Sequence, residues 1–427
     1  MHLLVTQPGE ISDGTEAVDL GQTPGDIIFL SAAASELALL SDAAGKRNGP
    51  PSLRLANLML LTHNMSVDVY LENTVSAAKL VVVRLLGGIG YWSYGAEQLL
   101  SLARENNIHL AILPGDDQPD PELTAYCTLP PEACHRLWQY CAHGGRENAK
   151  NFLAYATSLM GEEADWKEPA PLVRAGLYWP GLALPTLEDV TATWTTDQPV
   201  AAITFYRALL QSGDLKPVDA LVEALGAKGL NPLPIFVSSL KDAACAELVQ
   251  NYLRETGPDV ILNLTGFAVS SPGMGTSETP YTEADCPVLQ VILSGGPEEV
   301  WRDGTRGLAP RDLAMNVALP EVDGRLITRA VSFKKADSFD EEREVSIVRH
   351  EPVPDRIQFV AETATAWARL RRTDVAERKT VIVVSNYPNK DGRLCNGVGL
   401  DTPAGLAGAL ERLKREGYEL PDRFPAS

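Results

Sequence analysis

Arg207, in the segment TFYRALLQSGD, combines a residue type and a position that suit anion binding. It follows an apolar run that reads as a strand, and a guanidinium at a strand's carboxyl end can hold a carboxylate through two parallel hydrogen bonds. A salt bridge at a domain interface is the equal structural alternative. A second polar set lies near the end of the chain, where Asn389, Arg393, Asn396 and Asp401 fall within NYPNKDGRLCNGVGLD. Its amide and guanidinium donors can bind carboxylate or amide groups, or close a long loop on itself. Gly397-Val398-Gly399 offers backbone amides to an anion. The competing reading is a helix start, with Asp401 or Thr402 as cap and Pro403 in the first turn. His63 and Asp68, in LTHNMSVDVY, form the best pair for metal binding or proton transfer, because imidazole titrates near neutrality. Hydrogen bonding within the fold is the plainer role for both.

Other chemistries lack their signatures. Neither G-x-x-x-x-G-K-[ST] nor a strand-to-helix G-x-G-x-x-G occurs, so ATP is not expected on this chain. No G-x-S-x-G elbow supports a hydrolase. Cys127, Cys134 and Cys141 recur every seven residues, with His135 and His143 nearby, but this spacing matches no zinc pattern. Cys134 and Cys141 would stand two helical turns apart, about 10 Å, too far to share one ion. They read as small buried residues.

The elements that must position these residues follow from the hydrophobic pattern. Short apolar runs alternate with amphipathic helices through most of the 427 residues, which indicates parallel sheets covered on both faces. The expected fold is α/β: two doubly wound, Rossmann- or flavodoxin-like domains and the first strand–helix unit of an incomplete third. Residues 1–165 form the first domain with a helical tail, and the polar, proline-bearing 161–171 is the linker. Residues 166–350 form the second, with a hairpin expected to turn at Asp323-Gly324. Residues 351–427 hold a connecting helix, a strand from Lys379 and a helix from Pro403. In open sheets of this kind ligands sit beyond the carboxyl ends of strands. That rule selects Tyr206, Arg207, Ser238-Ser239, Thr265-Gly266 and Ser294-Gly295-Gly296 in the second domain.

With 37 basic and 56 acidic residues the formal charge is −19, which disfavours nucleic acid and anionic membrane surfaces. The amino terminus lacks the basic and apolar regions of a signal peptide, and no apolar stretch is long enough to span a bilayer. Six cysteines in this length fit free thiols in a reducing cytoplasm.

Seven collinear segments carry a family resemblance: LRLANLMLLTHNMSVDVY, LPGDDQPDP, TFYRALLQSGD, LNPLPIFVSSLKD, PDVILNLTGFAVSSPG, DLAMNVALPEVDGR and NYPNKDGRLCNGVGLDTPAG. Together they resemble the large subunit of aerobic cobaltochelatase, in the CobN/magnesium chelatase H family. The resemblance implies a nitrogen–metal ligase of cobalamin biosynthesis that inserts Co²⁺ into hydrogenobyrinic acid a,c-diamide. It implies that the large subunit binds the tetrapyrrole and metal, while ATP and Mg²⁺ belong to an AAA+ ATPase acting with a second small subunit. Arg207, Asn389, Arg393, Asn396 and Asp401 are then expected to bind the ring's polar rim, and His63 with Asp68 the metal. Family members are much longer, and the match ends where their third domain begins. A truncated large subunit is therefore expected. A stand-alone tetrapyrrole-binding or scaffold module, or a magnesium chelatase H-type subunit, is the alternative.

Overall fold

The structure is a computed structural model that describes residues 4–5, 17–45, 51–116, 118–182, 184–270, 278–384, 395, 397 and 399–420. After a short parallel pair, β1 (Leu4–Val5) and β2 (Val18–Asp19), comes a four-stranded sheet. Its strands are β3 (Ile27–Ser31), β4 (Leu53–Asn57), β5 (Leu80–Leu85) and β6 (His109–Pro114), all parallel in the order β4-β3-β5-β6. Both faces of β3 are buried because its residues alternate between two cores. Ile27 and Phe29 join one, and Ile28 and Leu30 the other. Helices α1 (Ala34–Ala44), α2 (Asn64–Tyr70), α3 (Ser93–Glu105), α4 (Pro131–His143) and α5 (Arg146–Leu159) accompany this sheet. α4 and α5 are the helical tail that the sequence pattern predicts.

A seven-stranded sheet follows, in the order β13-β12-β11-β10-β8-β9-β7. Its strands are β7 (Ala175–Leu177), β8 (Val200–Tyr206), β9 (Asn231–Val237), β10 (Val260–Asn263), β11 (Val288–Leu293), β12 (Leu326–Asp340) and β13 (Val345–Pro352). Strands β8 to β12 are parallel, whereas β7 and β13 are antiparallel edges. The helices are α6 (Leu187–Thr191), α7 (Arg207–Ser212), α8 (Lys216–Ala227), α9 (Ala243–Thr256), α10 (Glu298–Asp303), α11 (Pro310–Leu313), α12 (Leu319–Glu321), α13 (Pro354–Arg372) and α14 (Thr402–Arg415). α13 packs Ile357, Val360, Ala361, Ala364 and Ala368 against the sheet beside α8. Among the described residues no helix is long and apolar enough to cross a membrane.

Two expectations are corrected. The hairpin does not turn at Asp323-Gly324, because the residues before it are helical through α11, a π segment (Ala314–Ala318) and α12. It turns instead at 341–344, between β12 and β13. The strand expected from Lys379 does not form: among the described residues, 379–384 pair with nothing, and Val381 and Val383 are 84% and 90% exposed. A parallel strand needs neighbours for its backbone groups and cover for both faces, and the described residues supply neither there. The following helix α14 does form, with no buried residue.

The β12–β13 tip joins the two sheets. Glu344 accepts hydrogen bonds from Thr23 N (2.7 Å) and Thr23 Oγ1 (2.6 Å), and pairs with Arg54 at 3.3 Å. Its carbonyl accepts from Gln22 Nε2 (2.7 Å), and Leu55 N on edge strand β4 donates to Arg343 O (3.3 Å). Charge-assisted bonds of this kind contribute about 1.5–3 kcal/mol when shielded from water. Glu344→Ala is expected to lower stability by about 2 kcal/mol in thermal denaturation. A loss below about 0.5 kcal/mol would show that solvent replaces these bonds fully.

Candidate functional site

Each sheet has a point where the strand order reverses, and there the loops part to leave a crevice. In the first sheet this lies between β3 and β5, where Ser31, the last residue of β3, is the register partner of Arg84, the last but one of β5. The crevice is filled from within. Arg84 is 3% exposed and its Nη2 lies 3.1 Å from Glu36 Oε1, on the first turn of α1. The same guanidinium donates to the carbonyls of Pro114 and Gly115, and Ser31 Oγ donates to Glu36 Oε2 at 2.6 Å. Burial opposes the charge on Arg84, but Glu36 beside it holds the guanidinium pKa above its ordinary value.

In the second sheet the order reverses between β8 and β10, and this crevice stays open. Its floor is a row of polar residues crossing three strands: Thr204, Asn263 and Gln290 are successive register partners and fully buried. They replace the apolar residues that Ala202 and Ile261 supply one step earlier on the same face. Asn263 Oδ1 accepts from Thr204 Oγ1 (2.9 Å) and Thr265 Oγ1 (2.8 Å), while Nδ2 donates to Gln290 Oε1 (2.8 Å). Gln290 Nε2 donates to Thr265 O at 3.0 Å, and Tyr281 OH reaches Asn263 Oδ1 at 2.9 Å. A satisfied buried network of this kind specifies one arrangement, since any shift strands a desolvated polar group.

The row ends at Arg325, just before β12. Its Nη1 donates to Gln290 Oε1 (3.2 Å) and its Nη2 to Asp323 Oδ2 (2.8 Å). Both side chains of that ion pair are 1% exposed. Asp323 also accepts from the backbone N–H groups of Val269 and Ser270 at 2.8 and 3.0 Å, so the pair fixes the loop after β10. Above the row lies a cavity of about 170 Å³, lined by Tyr206, Ser239, Leu240, Lys241, residues 265–269 and Arg325. Tyr206 OH donates to Gly266 O at 3.1 Å. Phe267 is held at φ 63°, a conformation costly for an aromatic residue, by its N–H bond to Met315 O (2.7 Å).

The loop after β11 is also occupied by the protein itself. Asp312, 7% exposed, accepts from Ser294 Oγ (2.7 Å) and Gly295 N (3.0 Å). A carboxylate thus sits where backbone amides would otherwise meet an outside anion.

The residues singled out from sequence are placed differently from one another. Tyr206, Ser239, Thr265 and Gly266 line the open cavity. Arg207 does not point into it. β8 ends at Tyr206, which lines the cavity, whereas Arg207 opens helix α7 and its side chain turns toward the end of α4. There it is 6% exposed, and its Nη2 approaches Ala142 O, at the end of α4, at 3.4 Å. Arg207 therefore joins the helical tail to the second sheet, the interface alternative. Burial, reinforced by the Arg207 charge, lowers the pKa of neighbouring His143.

His63 and Asp68 do not converge. His63 Nδ1 accepts from Met65 N at 3.2 Å as the cap of α2, and Asp68 Oδ1 accepts from Tyr94 OH at 2.7 Å. Five residues apart on a helix, they project from different faces. Among the described residues no three or more His, Cys, Asp or Glu side chains are placed to hold a metal ion. Asp401 caps α14 by accepting from Ala404 N at 3.1 Å. Asn389, Arg393 and Asn396 lie outside the described residues.

Asn263, Gln290, Asp323 and Arg325 escape the sequence reading, although a signal for two of them exists. A single amide interrupts the apolar run in VILN and another in VLQVIL. Only the pairing of β10 with β11 reveals that they share one register.

Comparisons with known proteins bear on the whole chain. A family model described as CobN/Magnesium Chelatase matches residues 138–427. The chain is 50% identical over 427 residues to the aerobic cobaltochelatase subunit CobN of Sinorhizobium sp, covering 98% of this chain and 33% of that protein. It is 25% identical over 380 residues to the H subunit of magnesium chelatase from Rhodobacter capsulatus, covering 83% of this chain and 30% of that one. The catalytic subunit of cobaltochelatase from Mycobacterium tuberculosis superposes with a TM-score of 0.67 at 26% identity, covering 93% of this chain and 31% of that chain. The chain thus spans about a third of the length of the relatives it matches.

Proposed function

Because the chain belongs to the CobN/magnesium chelatase family, we propose that it forms part of a cobaltochelatase large subunit and helps hold the tetrapyrrole that receives Co²⁺. The observation that carries this reading is the 50% identity along nearly the whole chain to a cobaltochelatase subunit. Identity to magnesium chelatase relatives is only 25% and 27%, which favours cobalt over magnesium as the metal substrate.

The reaction is insertion of Co²⁺ into hydrogenobyrinic acid a,c-diamide, an ATP-driven step of aerobic cobalamin biosynthesis in the cytoplasm. The corrin gives up its ring N–H proton as its four nitrogens bind the Co²⁺. ATP and Mg²⁺ belong to an AAA+ subunit acting with a second small subunit. The open crevice of the second sheet supports a role in ring recognition, because its polar groups are fixed by a buried network before any ligand arrives. Residues 1–165 and 166–350 act as two α/β units, and 351–427 leads toward a third. The exposed Val381–Val384 run and the unpacked helix α14 support that last assignment.

Titration with hydrogenobyrinic acid a,c-diamide, followed by the ring's absorption bands, tests the proposal. Binding in the micromolar range is expected, about −8 kcal/mol. Co²⁺, ATP, Mg²⁺ and both small subunits are then added. Insertion assigns catalysis to the assembly containing this chain, whereas binding without insertion assigns a carrier or scaffold role. An unchanged spectrum with folded protein overturns the reading.

A further inference from the structure

We propose that the cavity at the second switch point is a receptor for a single carboxylate side chain, held by Arg325, Lys241 and Ser239. Its role as a rim contact for an acidic macrocycle rests on the function proposed above; its affinity for a carboxylate does not. Four observations support it.

The first is an unused donor. Arg325 is 4% exposed and lines the cavity, and among the described residues its Nε has no hydrogen-bond partner. An orphaned donor on a buried guanidinium is costly, and such groups persist where a ligand completes them. The second is charge. Asp323 already balances Arg325, so Lys241 leaves the lining net positive, and among the described residues no carboxylate lines the cavity. On a chain of net charge −19 this positive hollow is local and specific.

The third is donor geometry. Ser239 Oγ accepts from Lys241 N at 3.1 Å, which leaves its own O–H to donate. A hydroxyl, an ammonium and one guanidinium N–H suit the in-plane lone pairs of a carboxylate. They do not form the backbone cradle that phosphate takes, and the nearby loop that resembles one is filled by Asp312. The fourth is size and preorganisation. A volume of about 170 Å³ admits an acetate- or propionate-length arm but not a ring. The strained Phe267 and the Asp323-bound loop hold the walls in place, so little order is lost on binding.

The test uses the full chain in two arms. In the first, sodium propionate is the probe, with chloride at equal ionic strength as control, and the readout is the melting temperature. Propionate is expected to raise it for the native chain and not for Lys241→Met or Ser239→Ala, each compared with its own melting temperature in chloride. Arg325→Lys keeps a cation beside Asp323 but lacks the Nε–H, and is expected to weaken propionate binding about tenfold. A native chain that propionate does not stabilise, or variants that respond as the native chain does, would overturn the receptor.

In the second arm, hydrogenobyrinic acid a,c-diamide is compared with its methyl-esterified form by absorbance titration. Lys241→Met is expected to weaken the acid about tenfold and leave the ester unchanged. Equal affinities of native and variant chains for the acid would remove the ring from this cavity, even where propionate still binds. Absence of ring binding in every protein would defeat the proposed function, while the propionate result would still decide whether the cavity receives a carboxylate.

Discussion

Glu36→Ala is expected to destabilise the first sheet by about 3 kcal/mol, at the lower end of what breaking a buried ion pair costs. The substitution removes the carboxylate and leaves Arg84 charged, 3% exposed and out of reach of bulk water. The Pro114 and Gly115 carbonyls keep part of the guanidinium satisfied, which is why the loss stays near that lower end. The double variant Glu36→Leu/Arg84→Met is expected to recover most of the loss, because removing both charges also removes their desolvation penalty. Urea denaturation of the three proteins decides it. A single-variant loss under about 1 kcal/mol would mean that Arg84 is solvated, and the first switch point would then be open to ligands.

Acidification below neutrality is expected to destabilise the chain through His350. This residue is 8% exposed on β13, its Nδ1 lies 3.2 Å from Ser332 Oγ, and Lys334 is its cross-strand register partner. Burial, with Lys334 adding to it, brings its pKa from 6.5 to about 4. Between those values the unfolded chain binds the proton and the folded chain does not. Stability is therefore fully present above about 6.5 and is lost as pH falls toward 4, by about 3 kcal/mol in all. Asp214, which accepts from His350 N at 3.1 Å, acts in the other direction: burial raises its pKa, so its protonation favours the folded state as pH falls toward 3.8. His350→Asn keeps a partner for Ser332 and removes the titration. Its urea midpoint should change with pH between about 7 and 4 much less than that of the native chain. Parallel curves for the two proteins would assign the acid sensitivity to other groups.

The strands were legible where both faces are buried. A run such as AAITFY or KLVVVRLL can only be a central parallel strand, because no other element hides so many consecutive apolar side chains in so few residues. The same logic misled at Lys379. KTVIVV has the composition of a buried strand, yet composition supplies neither the neighbouring strands nor the helices that a buried strand requires. Arg207 shows a different failure. Its type suits a carboxylate and it does follow β8, but the strand ends at Tyr206, and Arg207 opens helix α7, which carries its side chain toward α4 and leaves Tyr206 at the crevice.

By itself the sequence determined the family and the alternation of elements, and thus that any ligand site must lie at strand ends. Those features are local or collinear: a periodicity of two or 3.6 and an ordered set of segments survive without knowledge of contacts. Only the tertiary structure decided which strand ends are available. Glu36 and Arg84, 48 residues apart, close one crevice, and Asp312 fills the nearby loop. Thr204, Asn263, Gln290 and Arg325, spread across four segments, converge beneath the one left open. Each of these depends on which strands become neighbours and in what register, and hydrogen bonds between residues distant in the chain exist only once the sheet has formed.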